Sequence, residues 1–349
     1  MLNGISLEVA EAQLHIARRM KLAASLSLLL ALAPQAHPAD AGERLSRTLI
    51  SGHSYVRLFS WGRAHGFETR WITHDKTLEL SNRQTRLTFT VDPRQDGRQA
   101  QINGVGVWLA FPVVTQNGSA YISQTDLDAT LAPVLSPRPN PPGSVIRTIC
   151  LDPGHGGKDP GNQSGSHDEK KYTLLLAQEV RDELSRAGFK AFLTRNTDTF
   201  VTLDNRSDIA RERKADLFVS LHFNSSGTGH PEVHGVEVYC LTPAGAFSTN
   251  AGGEGDTHPC DGNRHDDRNM LLAYQTQKSL CHVLRAEDRG VKRARYQVLR
   301  DTTMPGILIE GGFMTNAAEA RRIYDAEYRH DMARAIVEGI QNYCRQVKG

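Results

Sequence analysis

From residue 145 to the C-terminus, short apolar runs alternate with segments of helical period, and this alternation leaves few folds open. Strand-like runs fall at residues 145–151, 189–194, 217–221, 236–241, 296–299 and 307–309. Helical patterns lie between them. Tyr172, Leu176, Val180, Leu184 and Ala187 share one helical face before Gly188 stops it, and further helices are expected at 206–213, 269–286 and 317–343. Strands separated by helices in this way predict an α/β domain, with a mostly parallel twisted sheet and helices on both faces.

Ahead of it, residues 45–132 predict a small α+β, β-rich domain. Short alternating runs recur at 68–72, 85–91, 105–112 and 120–122, with helices expected at 55–65 and 124–131. Pro133, Pro137, Pro139, Pro141 and Pro142 then mark residues 133–144 as an extended linker, so the α/β domain is expected to be 145–349. Residues 1–41 read as an export signal. Arg18, Arg19 and Lys21 precede a short apolar stretch, Ala39-Asp-Ala41 offers a cleavage site, and Met20 is the better start. The mature chain is therefore expected in the periplasm or secreted. No apolar run of membrane-spanning length follows the signal, so no membrane span is expected. A formal net charge of +2 over 349 residues lacks the basic footprint of a nucleic-acid partner. The five cysteines form no CxxC pair, which argues against a cysteine-built zinc site, while Cys240 and Cys260 are a candidate disulfide across one loop.

Three polar residues stand where strand runs end: His155 in Asp152-Pro-Gly-His-Gly-Gly157, His222, and Glu310. In open α/β sheets ligands bind beyond the carboxyl ends of the strands, so these side chains are expected to converge on one cleft. Glu169 opens the following helix, where a carboxylate is favoured by the helix dipole. Two histidines and a carboxylate are a ligand set for catalytic zinc, which leaves Glu310 as general base. On these residues alone His167 and Asp168 remain alternatives to Glu169, and the reading is a metal-dependent hydrolase.

At this point a resemblance enters. Residues 149–161, Glu169-Lys170, Leu193-Thr-Arg195 with Asp198, Leu203 and Arg206, 215–224, 235–239, 289–292, 298–300, Met304-Pro305 and 309–316 resemble, in order, the zinc-dependent N-acetylmuramoyl-L-alanine amidases of the Amidase_3 family. The resemblance implies zinc held by His155, Glu169 and His222, with Glu310 as catalytic acid/base. It further implies hydrolysis of the amide between N-acetylmuramic acid and L-alanine in peptidoglycan, by a zinc-activated water. The alternative is a zinc peptidase acting on stem-peptide bonds. Asn224, Arg206 and Asn316 are candidate substrate-binding residues, the asparagines equally candidates for tying down loops. The basic run 289–295 reads as a solvated face. Some family members carry an inhibitory helix near the cleft; residues 243–268 lack helical period here and read as a flap, which leaves the need for an activator protein open. A monomer is expected. The 45–132 segment resembles, loosely, the N-terminal stalk domain of copper amine oxidases, which implies a wall-binding, spacer or passive role and no metal.

Overall fold

The computed structural model describes residues 45–91, 97–227, 230–249 and 255–349; the export signal expected at 1–41 lies outside them. Residues Leu45–Gly349 form one compact unit. It begins with β1 (Arg47–Ile50), β2 (His53–Arg57), α1 (Leu58–Ala64), β3 (Glu68–Thr73), β4 (Thr77–Ser81), β5 (Arg86–Thr90), β6 (Gln99–Ile102), β7 (Val105–Trp108), β8 (Val114–Gln116) and β9 (Ser119–Ser123). The expected helix at 55–65 starts late, because Tyr55, Val56 and Arg57 pair with β9 and the helix runs from Leu58 to Ala64. A helical stretch then runs from Gln124 to Leu135, its middle turn wound as π-helix. It takes in the start of the expected linker, with Pro133 in its last turns, and ends at Leu135 before the remaining prolines.

The α/β part follows as β10 (Thr148–Pro153), β11 (Gln163–Ser164), β12 (His167–Asp168), α2 (Glu169–Arg186), β13 (Lys190–Leu193), α3 (Leu203–Glu212), β14 (Leu217–Asn224) and β15 (Val236–Leu241). It continues with α4 (Asp266–Leu284), β16 (Asp288–Ala294), α5 (Gln297–Arg300), β17 (Gly306–Phe313), α6 (Ala317–Tyr324) and α7 (Ala326–Gln346). The sheet order is β13-β10-β14-β17-β15-β16 and then β7-β6-β5-β4-β3, eleven strands in all. The first four strands are mutually parallel, β15 runs antiparallel to β17, and β16 is parallel to β15.

Both faces of the α/β sheet are covered, as the alternation implied. One row of strand side chains (Ile149, Leu151, Val219, Ile307, Ile309) packs in the main core with α2, α4 and α7, whose Leu176, Val180, Leu272, Met332 and Ile336 are fully buried. The other row (Cys150, Phe218, Tyr239, Leu308) meets the shorter α3 and α5 through Ala210, Val298 and Leu299. Burial on both faces explains the near-continuous apolar runs of β10, β14 and β17.

Four local readings change. The strand after α4 is β16 rather than 296–299, which belongs mainly to the turn α5. Its Arg and Lys positions hid it, because they look solvent-seeking in sequence yet find partners inside the fold. The closing helix is two helices, broken at Asp325, whose extended backbone ends α6 while its side chain accepts from Tyr328 N at 2.9 Å to cap α7. Residues 261–268 are ordered as a 3-10 turn (Asp261–His265) and the start of α4, not as part of a flap. Cys240 and Cys260 are both free thiols, so the expected bridge is absent; the Cys240 sulfur faces the Lys292 carbonyl and that of Cys260 the Asn263 amide oxygen.

Candidate metal centre and cleft

The strands that end nearest one another carry the chemistry. Strand β10 runs out at Pro153 into the loop bearing His155, which stands in a left-handed conformation with φ of 60°. Such a backbone costs a non-glycine residue about 1 kcal/mol or more and persists only where surroundings impose it. Two buried arginines do so. Arg195 donates to the carbonyls of Pro153 (3.0 Å) and Gly154 (2.8 Å), and Arg206 to those of Pro153 (2.9 Å) and His155 (2.9 Å). Arg206 is itself anchored on Asp152 at 2.8 Å, with both side chains 3% exposed or less, and Thr194 and Ser220 also donate to that carboxylate.

Glu169 is the hub. Its side chain is 1% exposed, with Oε2 3.1 Å from His155 Nε2 and Oε1 2.9 Å from His222 Nδ1. The backbone N–H groups of Asn162 and Phe223 donate to the same carboxylate. One donor atom from each of His155, Glu169 and His222 falls within 4.8 Å of the others, the metal-capable grouping among the described residues. Gly154 makes this approach possible, since a Cβ there would overlap the His222 ring, 2.7 Å from Nδ1 and closer still to its edge. Asp159 Oδ2 meets His155 Nδ1 at 2.9 Å, which turns Nε2 toward Glu169. Burial disfavours charge on His155, but the hydrogen bonds and charges of Glu169 and Asp159 outweigh it and raise its pKa. Burial likewise pushes Glu169 up, and the two histidines overcome it, holding the carboxyl well below the usual range.

Glu310 projects from β17 in register with His222 on β14 and with Glu237 on β15. It is 9% exposed, and its Oε2 is buried with no hydrogen-bond partner. Burial, then the like charges of Glu169 and Glu237, raise its pKa well above that of an ordinary glutamate. All four residues line one cleft of about 540 Å³, walled on its far side by Phe200, Leu203, Tyr296 and Val298.

The other sequence candidates sort by their partners. His167 faces the Tyr172 hydroxyl and stacks on Tyr324, and Asp168 accepts from Gln163, so neither competes with Glu169. Arg206 borders the cleft, but four of its hydrogen bonds go to the chain itself. Asn224 donates to Glu237 at 2.8 Å, beside the cleft. Asn316 lies apart, capping α6 through Ala318 N and Glu319 N and donating to the Pro231 carbonyl. The basic run 289–295 is no solvated face. Arg289 and Lys292 pair with Glu237, and Arg293, 1% exposed, reaches the Ala129 carbonyl and the Thr130 hydroxyl. Asp159, Arg195, Asp152 and Glu237 are the site-building residues that spacing alone did not single out.

Two imidazoles, a buried carboxylate and a second carboxylate without a partner, in one cleft at the carboxyl ends of a largely parallel sheet, describe a metal-hydrolase type of centre. The chain belongs to the family described as N-acetylmuramoyl-L-alanine amidase, Amidase_3, which it matches over residues 149–342. It is 34% identical over 241 residues to the N-acetylmuramoyl-L-alanine amidase AmiC of Neisseria meningitidis, covering 62% of this chain and 57% of that protein. It is 34% identical over 222 residues to AmiA of Escherichia coli, covering 56% of this chain and 76% of that one. The chain thus spans little more than half of the Neisseria relative, and 36% of the 34%-identical LytC of Bacillus subtilis. Among solved structures, the amidase AmiC2 of Nostoc punctiforme is 34% identical, with a TM-score of 0.49 over 58% of this chain and 99% of that one.

Proposed function

We propose that this chain hydrolyses the amide bond between N-acetylmuramic acid and L-alanine in peptidoglycan, using zinc held by His155, Glu169 and His222. The observation that carries the reading is the convergence of those three donor atoms within 4.8 Å, in a cleft that also holds Glu310, in a chain of this family. A nitrogen and oxygen donor set of this kind suits zinc, and a bound zinc ion supplies Lewis-acid activation of water and of the scissile carbonyl.

The chain's own residues do the rest. Asp159 fixes the tautomer and aim of His155, leaving its Nε2 toward Glu169. The free Oε2 of Glu310 accepts the proton of the attacking water as its oxygen adds to the lactyl carbonyl carbon. It then returns that proton to the alanine nitrogen as the C–N bond breaks, leaving a carboxyl on the muramic acid and a free amine on the stem peptide. In this reading 145–349 is the catalytic module and 45–132 a wall-facing one, joined through 133–144. The protein acts where its polymer lies, in the periplasm or outside the cell; no helix of the described residues is long and apolar enough to cross a membrane.

The test is digestion of purified peptidoglycan with and without a chelator, reading products by mass spectrometry. Free stem peptides beginning at L-alanine, lost on chelation and restored by zinc, are expected; cleavage inside the stem peptide would overturn the amidase assignment in favour of a peptidase. Glu310→Gln is expected to keep zinc and lose at least about 100-fold in rate.

A further inference from the structure

The face of the sheet that carries Glu310 does not stop at the catalytic strands. Val238, Val291 and Val107 share one register line across β15, β16 and β7, and all three are buried in the main core. Their sequence neighbours therefore point to the opposite face, the one bearing Glu237 and Glu310. On that face β7 places Gly106 and Trp108, β6 places Gln101 and Gln99 opposite them, and β5 places Thr88 beside Gln101. Leu87, Phe89, Ala100 and Ile102 fill the other side. The result is a groove of about 350 Å³ floored by Thr88, Thr90, Gln99, Gln101 and Trp108 and bounded by Arg289 and Lys292. Strand β7 is three strands from Glu310, roughly 14 Å at the usual inter-strand spacing.

The junction is built to fix this extension in place. Gly106 and Gly290 approach so closely that a Cβ on Gly106 would lie 3.1 Å from the Gly290 Cα. Gly106 N donates to Asp288 at 2.7 Å, Tyr274 donates to the Ile102 carbonyl at 3.0 Å, and buried Arg293 holds Ala129 and Thr130.

We propose that this groove binds the glycan strand of peptidoglycan alongside the cleft, which rests on the amidase reading above. A half-buried indole beside two exposed amides and two half-buried hydroxyls suits a polyol, offering an apolar ring face together with donors and acceptors. The charges argue against the acidic stem peptide as occupant. Two carboxylates (Glu287, Asp288) balance two cations (Arg289, Lys292) along the groove, and both cations are already paired with the buried Glu237 behind it.

The test uses the full chain, its Trp108→Ala variant and the double variant Gln99→Ala, Gln101→Ala, whose side chains are exposed and whose fold is expected to be unaffected. On polymeric peptidoglycan both variants should lose at least about tenfold in kcat/KM, and on a muramoyl-tripeptide fragment they should stay within about twofold of the parent. Equal rates on the polymer, or equal losses on both substrates, would overturn the proposal. Binding of peptide-free glycan strands to the Glu310→Gln chain, weakened at least tenfold by the added double variant, is the second expected result; binding of the isolated stem peptide instead would also overturn it. If glycan binds in this way but no amide is cut, the amidase reading falls and the groove stands.

Discussion

Replacing Gly154 by alanine probes the centre at its tightest point. The new Cβ would lie 2.7 Å from His222 Nδ1, and ordinary contact starts near 3.4 Å, so the ring must retreat by at least 0.7 Å there and further at its edge. Metal–ligand distances tolerate about 0.2 Å, so His222 can no longer share an ion with His155 and Glu169. Zinc affinity is expected to fall at least about 100-fold, the upper end of what disturbing a ligand's support costs. The retreat also strains the 2.9 Å bond from His222 to Glu169, and a hydrogen bond to a charged group is worth about 1.5–3 kcal/mol. With the overpacking itself costing a further 1–3 kcal/mol or so, the metal-free protein should be destabilised by about 2.5–6 kcal/mol. Competition titration with a zinc chelator and denaturant melts of the metal-free protein read the two effects. The control is Gly306→Ala on β17, where a Cβ would sit at an ordinary 3.6 Å from Phe218. Parental zinc affinity in Gly154→Ala would refute the reasoning, because it would mean that His222 is not held where the ion binds.

Asp159→Asn should keep the fold and reduce zinc affinity about 10–100-fold in the same titration, since the His155 ring loses its charged orienting partner. Arg206→Met should cost about 3–5 kcal/mol in denaturant melts, because it strands the buried Asp152 carboxylate and frees the His155 carbonyl. Asp266, at the start of α4, is pushed up to about 6 by burial, which outweighs its Asn263 bond and the nearby Arg293 and Arg295. A carboxyl whose folded pKa is raised stabilises below its unfolded value near 3.8, and that contribution is lost as pH rises through 6, by roughly 3 kcal/mol at most. Asp266→Asn should flatten the stability profile between pH 4 and 6, and an unchanged slope in pH-dependent melts would count against this assignment.

What the sequence made legible follows from what each element is buried against. Strands β10, β14 and β17 are covered on both faces, so their apolar runs are continuous and their ends could be placed, with the polar residues that follow. Strand β16 reads as Asp-Arg-Gly-Val-Lys-Arg-Ala, and no periodicity reveals that Glu237 and the 124–135 helical stretch satisfy its cations from inside the fold. The same ignorance of partners blurs the site's margins. Arg206 and Asn316 belong to residue types that bind substrates, yet one clamps a loop and the other caps a helix, and only tertiary neighbours decide between those uses. That His155 and His222 would meet was legible because their chemistry and their strand-end positions agree, whereas Glu169, at a helix start, was set apart from His167 and Asp168 only by the family resemblance.

Glu237 and Glu310 show how far residue identity alone falls short. They face each other across β15 and β17, both are buried, and in sequence each is a glutamate within an apolar strand. Asn224, Tyr239, Arg289 and Lys292 all donate to Glu237, and although burial pushes its carboxyl up, the Lys292 charge and these bonds hold it below the ordinary range. A carboxylate so saturated has little capacity left to take up a proton. Glu310, with an unpartnered Oε2 and two negative neighbours, is pushed the other way and retains the capacity that Glu237 has given up. The ionised Glu237 is part of the reason, since its charge opposes a second charge on Glu310. The four donors around Glu237 therefore act on the cleft as well as on the scaffold. They keep one carboxylate fixed and charged, so that in the proposed hydrolysis the proton traffic would fall to the other.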